Sequence, residues 1–554
     1  MVIQLDSSSD DDSETRSCPK SDSESEPEQK VAVMSKENRY LPKLGAPGEG
    51  AIKRITRFGY VVDKSRMDNE QLEKIRYDLT VTPFKGGTFG KIAPAKPMYL
   101  FVEKDNYLII PKYYALGELG APEVDELRDR AWKLENVRYT DVMRPNQQVI
   151  VDKVIKGFET QGGGLLIAGC GSGKTNMAIY IACHFRLKTL FIVHKTFLKN
   201  QIMDRIRKFT NIDRIGTMQG KKVDIDPQFV VGMVQSLSQI DYDHELFKDF
   251  GMVIIDEVHH MGSRCFSKVF KKISARYMLG ISAERTRNDR MYGIINWYMG
   301  PILHFEEQKP NSIVVVKRFN YSTSNDNRVK MMFIRNIKER EPDRSTMVTN
   351  LLHIKRRNRF IVKIIKILFD EGKNILFLTG RLKHIDIIRK VLSRKIDKRH
   401  IGCYLGGMPE AELAKSATCQ VILGTYDMAQ EGLDIGGLNV VILGTPKSSI
   451  KQSVGRITRK EHYEEPPIVI DLIDEMNFTF KQQGKIRLRF FEAQKYRLQD
   501  FSVADFELEK HEMWNDKKFL RNALLKHPEE STKYKSVARD VFKPLNINAI
   551  KFRD

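Results

Sequence analysis

Short apolar runs alternating with stretches of helical spacing constrain this chain more than any other feature. Gly164-Leu-Leu-Ile-Ala, Thr189-Leu-Phe-Ile-Val, Phe229-Val-Val-Gly-Met-Val, Met252-Val-Ile-Ile and Tyr277-Met-Leu-Gly-Ile form a first set. Runs this short, apolar throughout, suit strands buried on both faces, and that means parallel strands covered by helices. Strands alternating with helices imply βαβ units and a doubly wound sheet. The pattern then starts again with Asn374-Ile-Leu-Phe-Leu, His400-Ile-Gly-Cys-Tyr, Gln420-Val-Ile-Leu-Gly, Asn439-Val-Val-Ile-Leu and Pro467-Ile-Val-Ile-Asp. The expected fold is α/β, with two tandem parallel-sheet domains over residues 139–310 and 345–475.

The flanks read differently. Residues 50–138 carry short strand-like runs, Met98-Tyr-Leu-Phe-Val-Glu and Tyr107-Leu-Ile-Ile-Pro, broken up by Pro83, Gly86, Gly87, Gly90, Pro94 and Pro97. They predict a small α/β accessory domain. From Met476 the apolar runs stop, and residues 476–554 predict a basic, mainly helical extension. Its Lys485, Arg487, Arg489, Lys495 and Arg497 are candidate nucleic-acid contacts, with Phe490 and Phe491 either stacking or part of the core. Residues 1–45 place Asp6, Asp10, Asp11, Asp12, Glu14, Asp22, Glu24, Glu26 and Glu28 among serines. That composition cannot bury a core and predicts disorder; the tail is phosphorylated, recruits a partner, or solubilises.

The net charge of +21 over 554 residues attracts polyanions, nucleic acid first among them. No uninterrupted apolar run reaches the roughly 18 residues of a transmembrane helix. The acidic, polar N-terminus is unlike a secretory signal peptide. Cys18, Cys170, Cys183, Cys265, Cys403 and Cys419 form no C-x-x-C pair, so neither a zinc site nor a disulfide framework is expected, and a reducing compartment is.

Three strings carry chemistry. Ala168-Gly-Cys-Gly-Ser-Gly-Lys-Thr follows a strand and opens a helix. Gly171 and Gly173 let the backbone curl so that its N–H groups face phosphates, and Gly169, Cys170 and Ser172 complete the loop. Lys174 neutralises phosphate charge, and Thr175 offers its hydroxyl to magnesium. The expected ligands are therefore ATP and Mg2+. Asp256 and Glu257 follow the run Met252–Ile255. Carboxylates at a strand's C-terminal end lie where open α/β sheets bind ligands, so Asp256 is assigned to the metal and Glu257 to the attacking water. Gln452-Ser-Val-Gly-Arg-Ile-Thr-Arg places Arg456 and Arg459 three apart on one helical face, with Gln452 beside them. From the second domain these arginines can reach a γ-phosphate and stabilise transition-state charge. Upstream, Met143-Arg-Pro-Asn-Gln-Gln offers Gln147 to read adenine, assisted by Arg144; Gln148 or an ordinary helix start is the alternative.

The three strings in this order resemble the superfamily 2 helicases, which have two RecA-like domains. The likeness runs from about residue 143 to 460. It implies that Ser282-Ala283, with Gly432 and Asp434, links hydrolysis to nucleic-acid movement. It implies that His194, Lys195, Gln201, Gln235 and Ser236 of the first domain, and Gly380, Arg381, Gly406-Gly-Met and Thr425 of the second, contact a strand. His259 belongs to the acidic motif, and neither it nor His260 is read as a zinc ligand. One departure stands out. Glu284-Arg285 follows Ser-Ala where the family usually has Thr or Thr-Pro. A salt-bridged Glu284 is expected to take over the hydroxyl's contacts.

Asp256-Glu-Val-His, Arg144-Pro-Asn-Gln and Gly406-Gly-Met lean towards the XPB-like DNA translocases. Leu79-Thr-Val-Thr-Pro and Ile110-Pro-Lys-Tyr-Tyr-Ala-Leu are similar to the poxvirus-type transcript-release helicases of large cytoplasmic DNA viruses. The resemblance implies a DNA-dependent ATPase that acts in viral transcription, with RNA polymerase or other transcription factors as partners. A viral origin would place it in the virion and host cytoplasm, a cellular one in the nucleus. An RNA helicase and an ATP-switched remodelling subunit remain open; no nuclease signature lies near the termini.

Overall fold

The computed structural model describes residues 53–82, 96–129, 134, 136–169, 171–263, 265–284, 291–306, 313–322, 330–333, 342–431, 435–457, 465–504 and 517–526. The acidic tail lies outside them. The accessory domain is a five-stranded sheet built from β1 (Lys53–Thr56), β2 (Gly59–Asp63), β5 (Val102–Glu103), β6 (Tyr107–Ile110) and β7 (Val124–Asp125), ordered β5-β6-β2-β1-β7. A two-stranded ribbon joins β3 (Thr80–Val81) to β4 (Met98–Tyr99). The domain is docked rather than tethered. Tyr298 donates to the Leu100 carbonyl at 2.8 Å, Tyr114 meets Trp297 edge-on, and its core is continuous with that of the next domain.

The first large sheet contains β8 (Gly163–Ile167), β9 (Thr189–Val193), β10 (Gly216–Gln219), β11 (Lys222–Asp224), β12 (Phe229–Met233), β13 (Met252–Asp256), β14 (Tyr277–Ser282) and β15 (Ile302–Phe305), ordered β11-β10-β12-β9-β13-β14-β8-β15. Every pair is parallel except β10 with β11. The five strands expected from the apolar runs are all present. Each buries side chains on both faces: Leu165 and Val253 enter one core, Leu166 and Ile254 the other. Because β14 lies between β8 and β13, the loops after β8 and β13 open at the same edge, the usual ligand crevice of such sheets.

The second large sheet contains β16 (Val315–Ser322), β17 (Ile375–Thr379), β18 (Ile401–Tyr404), β19 (Val421–Thr425), β20 (Val440–Leu443), β21 (Ile468–Asp474) and β22 (Arg497–Ala504), ordered β18-β19-β17-β20-β21-β16-β22 and parallel throughout. Helix Lys355–Asp370 covers one face with Phe360, Ile361, Ile364, Ile365 and Leu368.

Two expectations need correction. The second domain does not begin at 345: β16 is an integral strand of its sheet. Nor do strands stop at Met476: helix Phe478–Ala493 is followed by β22, which pairs with β16 along its whole length. Both strands hide behind their charges. Lys317 and Arg318 interrupt the apolar run of β16, yet both are buried, because their partners arrive from far along the chain. Lys317 donates to the Gln499 side chain and the Lys526 carbonyl, and Arg318 meets Asp471 and Asp500. A charge is tolerated in a core strand only when paired, and sequence alone does not display the pairing.

Candidate nucleotide site and nucleic-acid cleft

The phosphate loop turns out of β8 and into helix Lys174–Phe185 through two left-handed residues, Gly171 (φ +84°) and Gly173 (φ +85°). L side chains rarely adopt that conformation. At Gly173 a Cβ would also lie 2.3 Å from Gln147 Nε2. A Gly173→Ala substitution is therefore expected to lower ATP affinity by about tenfold or more, from strain and clash together, in a nucleotide titration followed by fluorescence. Lys174 Nζ donates to the carbonyls of Ala168 (3.0 Å) and Gly169 (2.9 Å), contacts it can exchange for phosphate oxygens. Ser172 Oγ is buried with no hydrogen-bond partner among the described residues, and the Gly169 amide donates to Glu306 Oε2 at 3.0 Å. The loop is thus already holding an anionic oxygen, from a residue that no sequence motif marked. Cys170 lies outside the described residues.

Gln147 is buried in the first turn of helix Pro145–Gln161 and braces the loop. Its Oε1 accepts from the Arg144 amide at 3.3 Å and its Nε2 donates to the Ser172 carbonyl at 2.9 Å. Gln148 points elsewhere, donating to Asp152 at 2.8 Å on the surface. Of the two glutamines, Gln147 alone ties the helix start to the phosphate loop. An amide N–H remains on it for a base.

Asp256 ends β13, and Glu257 takes the left-handed conformation (φ +47°), strained for a residue with a side chain. The Glu257 amide donates to Asp256 Oδ1 at 2.9 Å. Burial, then the neighbouring Glu257 charge, pushes the Asp256 carboxyl up to about 6, with Lys174 and His194 opposing. Burial works against ionisation of Glu257 too, but the adjoining His259, first, and the charges of Lys174 and His260 outweigh it and hold Glu257 ionised. An ionised glutamate orients and polarises water as an acceptor.

These residues fit magnesium. A buried carboxyl that resists ionisation beside a second carboxylate is what a divalent cation relieves, and Thr175 is buried at the start of the phosphate-loop helix. The protein would supply the Asp256 carboxylate and the Thr175 hydroxyl, leaving phosphates and water to complete the shell. A cation needs the ionised carboxylate, and the raised value of Asp256 retains the proton up to about pH 6. Magnesium-dependent nucleotide binding should therefore reach its full strength a pH unit or more above this value and weaken as pH falls through it, by up to about tenfold per pH unit below. Titrations from pH 5 to 8 at fixed magnesium check this, and Asp256→Asn should flatten the profile.

From Glu257 a chain of contacts runs to the second domain. His259 Nδ1 lies 3.3 Å from Glu257 Oε2 and 3.0 Å from Ser282 Oγ. Ser282 Oγ donates to the Glu284 carbonyl and accepts from the Glu284 amide, both at 3.0 Å. With the single hydroxyl proton so engaged, Nδ1 is the protonated nitrogen of His259. Ser282 and Ala283 are buried, so they act by shaping this turn. The Glu284 carboxylate then accepts from Gln452 Nε2 across the domain gap, at a long 3.4 Å. Among the described residues the Glu284 carboxylate meets this neutral amide, and no cation is paired with it. Gln452 is buried in helix Lys451–Val454, and Arg456 lies half-buried one turn further on. Arg459, Gly432 and Asp434 lie outside the described residues.

Both large domains also line a cleft of about 1510 Å³. His194, Lys195, Gln201, Gln235 and Ser236 reach it from the first domain, and Gly380, Gly406, Gly407, Met408 and Thr425 from the second. Two helices start at its walls, Thr196–Phe209 and Leu382–Leu392, and neither has a side-chain N-cap. Uncapped helix N-termini present amides and a positive dipole end to phosphate. Lys195, Arg205 and Lys208 add charge on the first-domain wall. Arg381 is engaged otherwise: its guanidinium donates to Ser345 and Thr349, tying helix Arg344–Leu351 to the end of β17. In the C-terminal region Arg487 is wholly buried on Asp471, and Phe491 is core; Lys485, Arg489 and Lys495 remain exposed.

Sequence comparison now gives the class. Residues 140–286 match the family described as type III restriction enzyme, res subunit. An Acanthamoeba polyphaga mimivirus protein named "Putative ATP-dependent RNA helicase" is 54% identical over 512 residues, covering 90% of this chain and 98% of that one. An African swine fever virus protein of the same name is 25% identical over 379 residues, covering 63% of this chain and 72% of its own. Among solved structures, the ATP-dependent type ISP restriction-modification enzyme LlaBIII bound to DNA is similar over 70% of this chain and 33% of its own, with 16% identity and a TM-score of 0.47. The chain belongs to the superfamily 2 helicases. Within them it is a member of the viral helicase family of that mimivirus protein, and an ATP-dependent enzyme.

Proposed function

We propose that this protein is an ATP-driven DNA helicase or translocase of a large DNA virus, working in viral transcription at elongation, termination or transcript release. The observation that carries the motor reading is the continuous path from Glu257 through His259, Ser282 and Glu284 to Gln452. It joins the carboxylate assigned to the attacking water to the opposite domain, and both domains line a cleft of about 1510 Å³. In this reading Lys174 and the loop amides hold the β- and γ-phosphates, and Gln147 reads the base. Asp256 and Thr175 hold magnesium, which would neutralise phosphate charge. Glu257 orients the attacking water. Arg456 and Arg459 approach the γ-phosphate when the domains close, stabilising charge that develops there. The cleft amides grip backbone phosphates, so little base specificity is expected. RNA polymerase or another transcription factor is the proposed partner, and the virion and host cytoplasm the proposed location.

An RNA helicase is the second reading, favoured by the names carried by the mimivirus and African swine fever virus relatives. The test is ATP hydrolysis by the purified protein with single-stranded DNA, duplex DNA or RNA, beside Lys174→Ala. Stimulation by DNA that the variant abolishes supports the DNA motor and leads to transcript-release assays on stalled polymerase. Stimulation by RNA alone overturns it in favour of the RNA helicase.

A further inference from the structure

We propose that the contiguous imidazoles of His194, His260 and His259 are a positioning element through which nucleic acid in the cleft sets the orientation of Glu257, so that hydrolysis is fast only when the cleft is filled. The inference rests on the cleft being a nucleic-acid channel, as read above. Ring centroids of His194 and His260 are 4.4 Å apart, and those of His260 and His259 are 4.2 Å apart. The two ring pairs are tilted, at 43° and 37°, and His260 links the other two in one contact column. Its outer end, His194, follows β9 and lines the cleft, and its backbone carbonyl accepts from Gln235 Nε2, a second cleft residue, at 2.5 Å. Its inner end, His259, lies 3.3 Å from Glu257 Oε2. His194 and His259 are buried and His260 is half-buried, so a displaced ring must push its neighbour.

Glu257 supplies the element that can respond. Its left-handed backbone is sparsely populated for a residue with a side chain and persists only while its surroundings hold it. Relaxation of that one residue would re-aim the carboxylate away from an attacking water. The column therefore runs from the cleft wall to a strained residue, so that a ring displaced at one end is felt at the other. This path shares His259 with the Ser282–Glu284–Gln452 path but leaves it through His260. The latter reports closure of the second domain, whereas the histidine column lies wholly within the first and reports the cleft itself.

The test compares His260→Ala, His260→Leu and His260→Phe with wild type. ATP hydrolysis is measured with and without single-stranded DNA, duplex DNA and RNA, together with KM for ATP, nucleic-acid affinity by anisotropy and thermal unfolding. The alanine and leucine variants should lose about five- to a hundredfold of the nucleic-acid stimulation, read as the ratio of stimulated to unstimulated kcat. KM and nucleic-acid affinity should move little, and phenylalanine, which keeps a planar ring, should restore most of the ratio. The leucine variant keeps side-chain volume and covers the case in which alanine fails to fold. A wild type that no nucleic acid stimulates overturns the cleft reading and this inference together. A stimulated wild type matched by an equally stimulated leucine variant overturns the inference alone. Parallel losses in KM, affinity and melting temperature would mark His260 as structural and overturn it as well.

Discussion

Replacing Glu257 with Gln is expected to reduce kcat for ATP hydrolysis by about 10²–10⁴-fold, the usual worth of a positioned acid–base group. ATP affinity should stay within a few-fold of wild type. The reasoning is geometric. The amide is isosteric, so the left-handed backbone and the contact to His259 can persist, and Lys174 and the phosphate loop are untouched. What is lost is the negative charge that His259, Lys174 and His260 hold in place. The measurement is steady-state hydrolysis beside equilibrium nucleotide binding on one preparation. A variant keeping more than about a tenth of wild-type kcat would remove Glu257 from the chemistry.

The second large effect is on stability. Asp471 on β21 is fully buried between two arginines: Arg487 Nε donates to Oδ1 at 2.7 Å, and Arg318 Nε lies 3.5 Å from Oδ2. Arg487 also donates to the Lys447 and Leu472 carbonyls. Asp471→Asn keeps the shape but leaves two buried cations without their shared anion. Breaking a buried pair in this way costs about 3–5 kcal/mol. In a domain of this size that lowers the melting temperature by roughly 10 °C. Lys485→Ala, at an exposed site nearby, should change stability by no more than about 0.5 kcal/mol. Calorimetry of the three proteins decides the matter. Equal melting temperatures would mean that the arginines find solvent or other partners.

The same cluster shows where sequence reading failed. Arg487 sits in a basic run and reads as a nucleic-acid contact, yet in the fold it is a core residue whose partner is 16 positions away. Lys317 and Arg318 disguised β16, and Arg497, Gln499 and Asp500 disguised β22. In each case the apolar pattern was broken by a charge that a distant residue satisfies. Arg381 was assigned to a strand of nucleic acid from its motif, which gave no sign that its guanidinium also ties Ser345 and Thr349. Glu284 was expected to find a cation and meets the amide of Gln452.

What the chain determined by itself is whatever local geometry enforces. Runs such as Met252–Ile255 can only be doubly buried strands. Glycines at 171 and 173 can only mark a left-handed turn into a helix, and carboxylates directly after β13 must lie at the sheet's ligand edge. Strand identity, the phosphate loop and the acidic pair follow from period, backbone freedom and strand end, all contained within a few residues. What only the tertiary structure decided depends on residues far apart in sequence. Examples are the choice of Gln147 over Gln148, the Glu306 carboxylate on the Gly169 amide, the burial of Arg487, and the ring contact of His194 with His260. The reason is that a hydrogen bond or buried ion pair is specified by two partners at once. Each one alone looks like an ordinary polar residue until the fold brings the other within 3 Å or so.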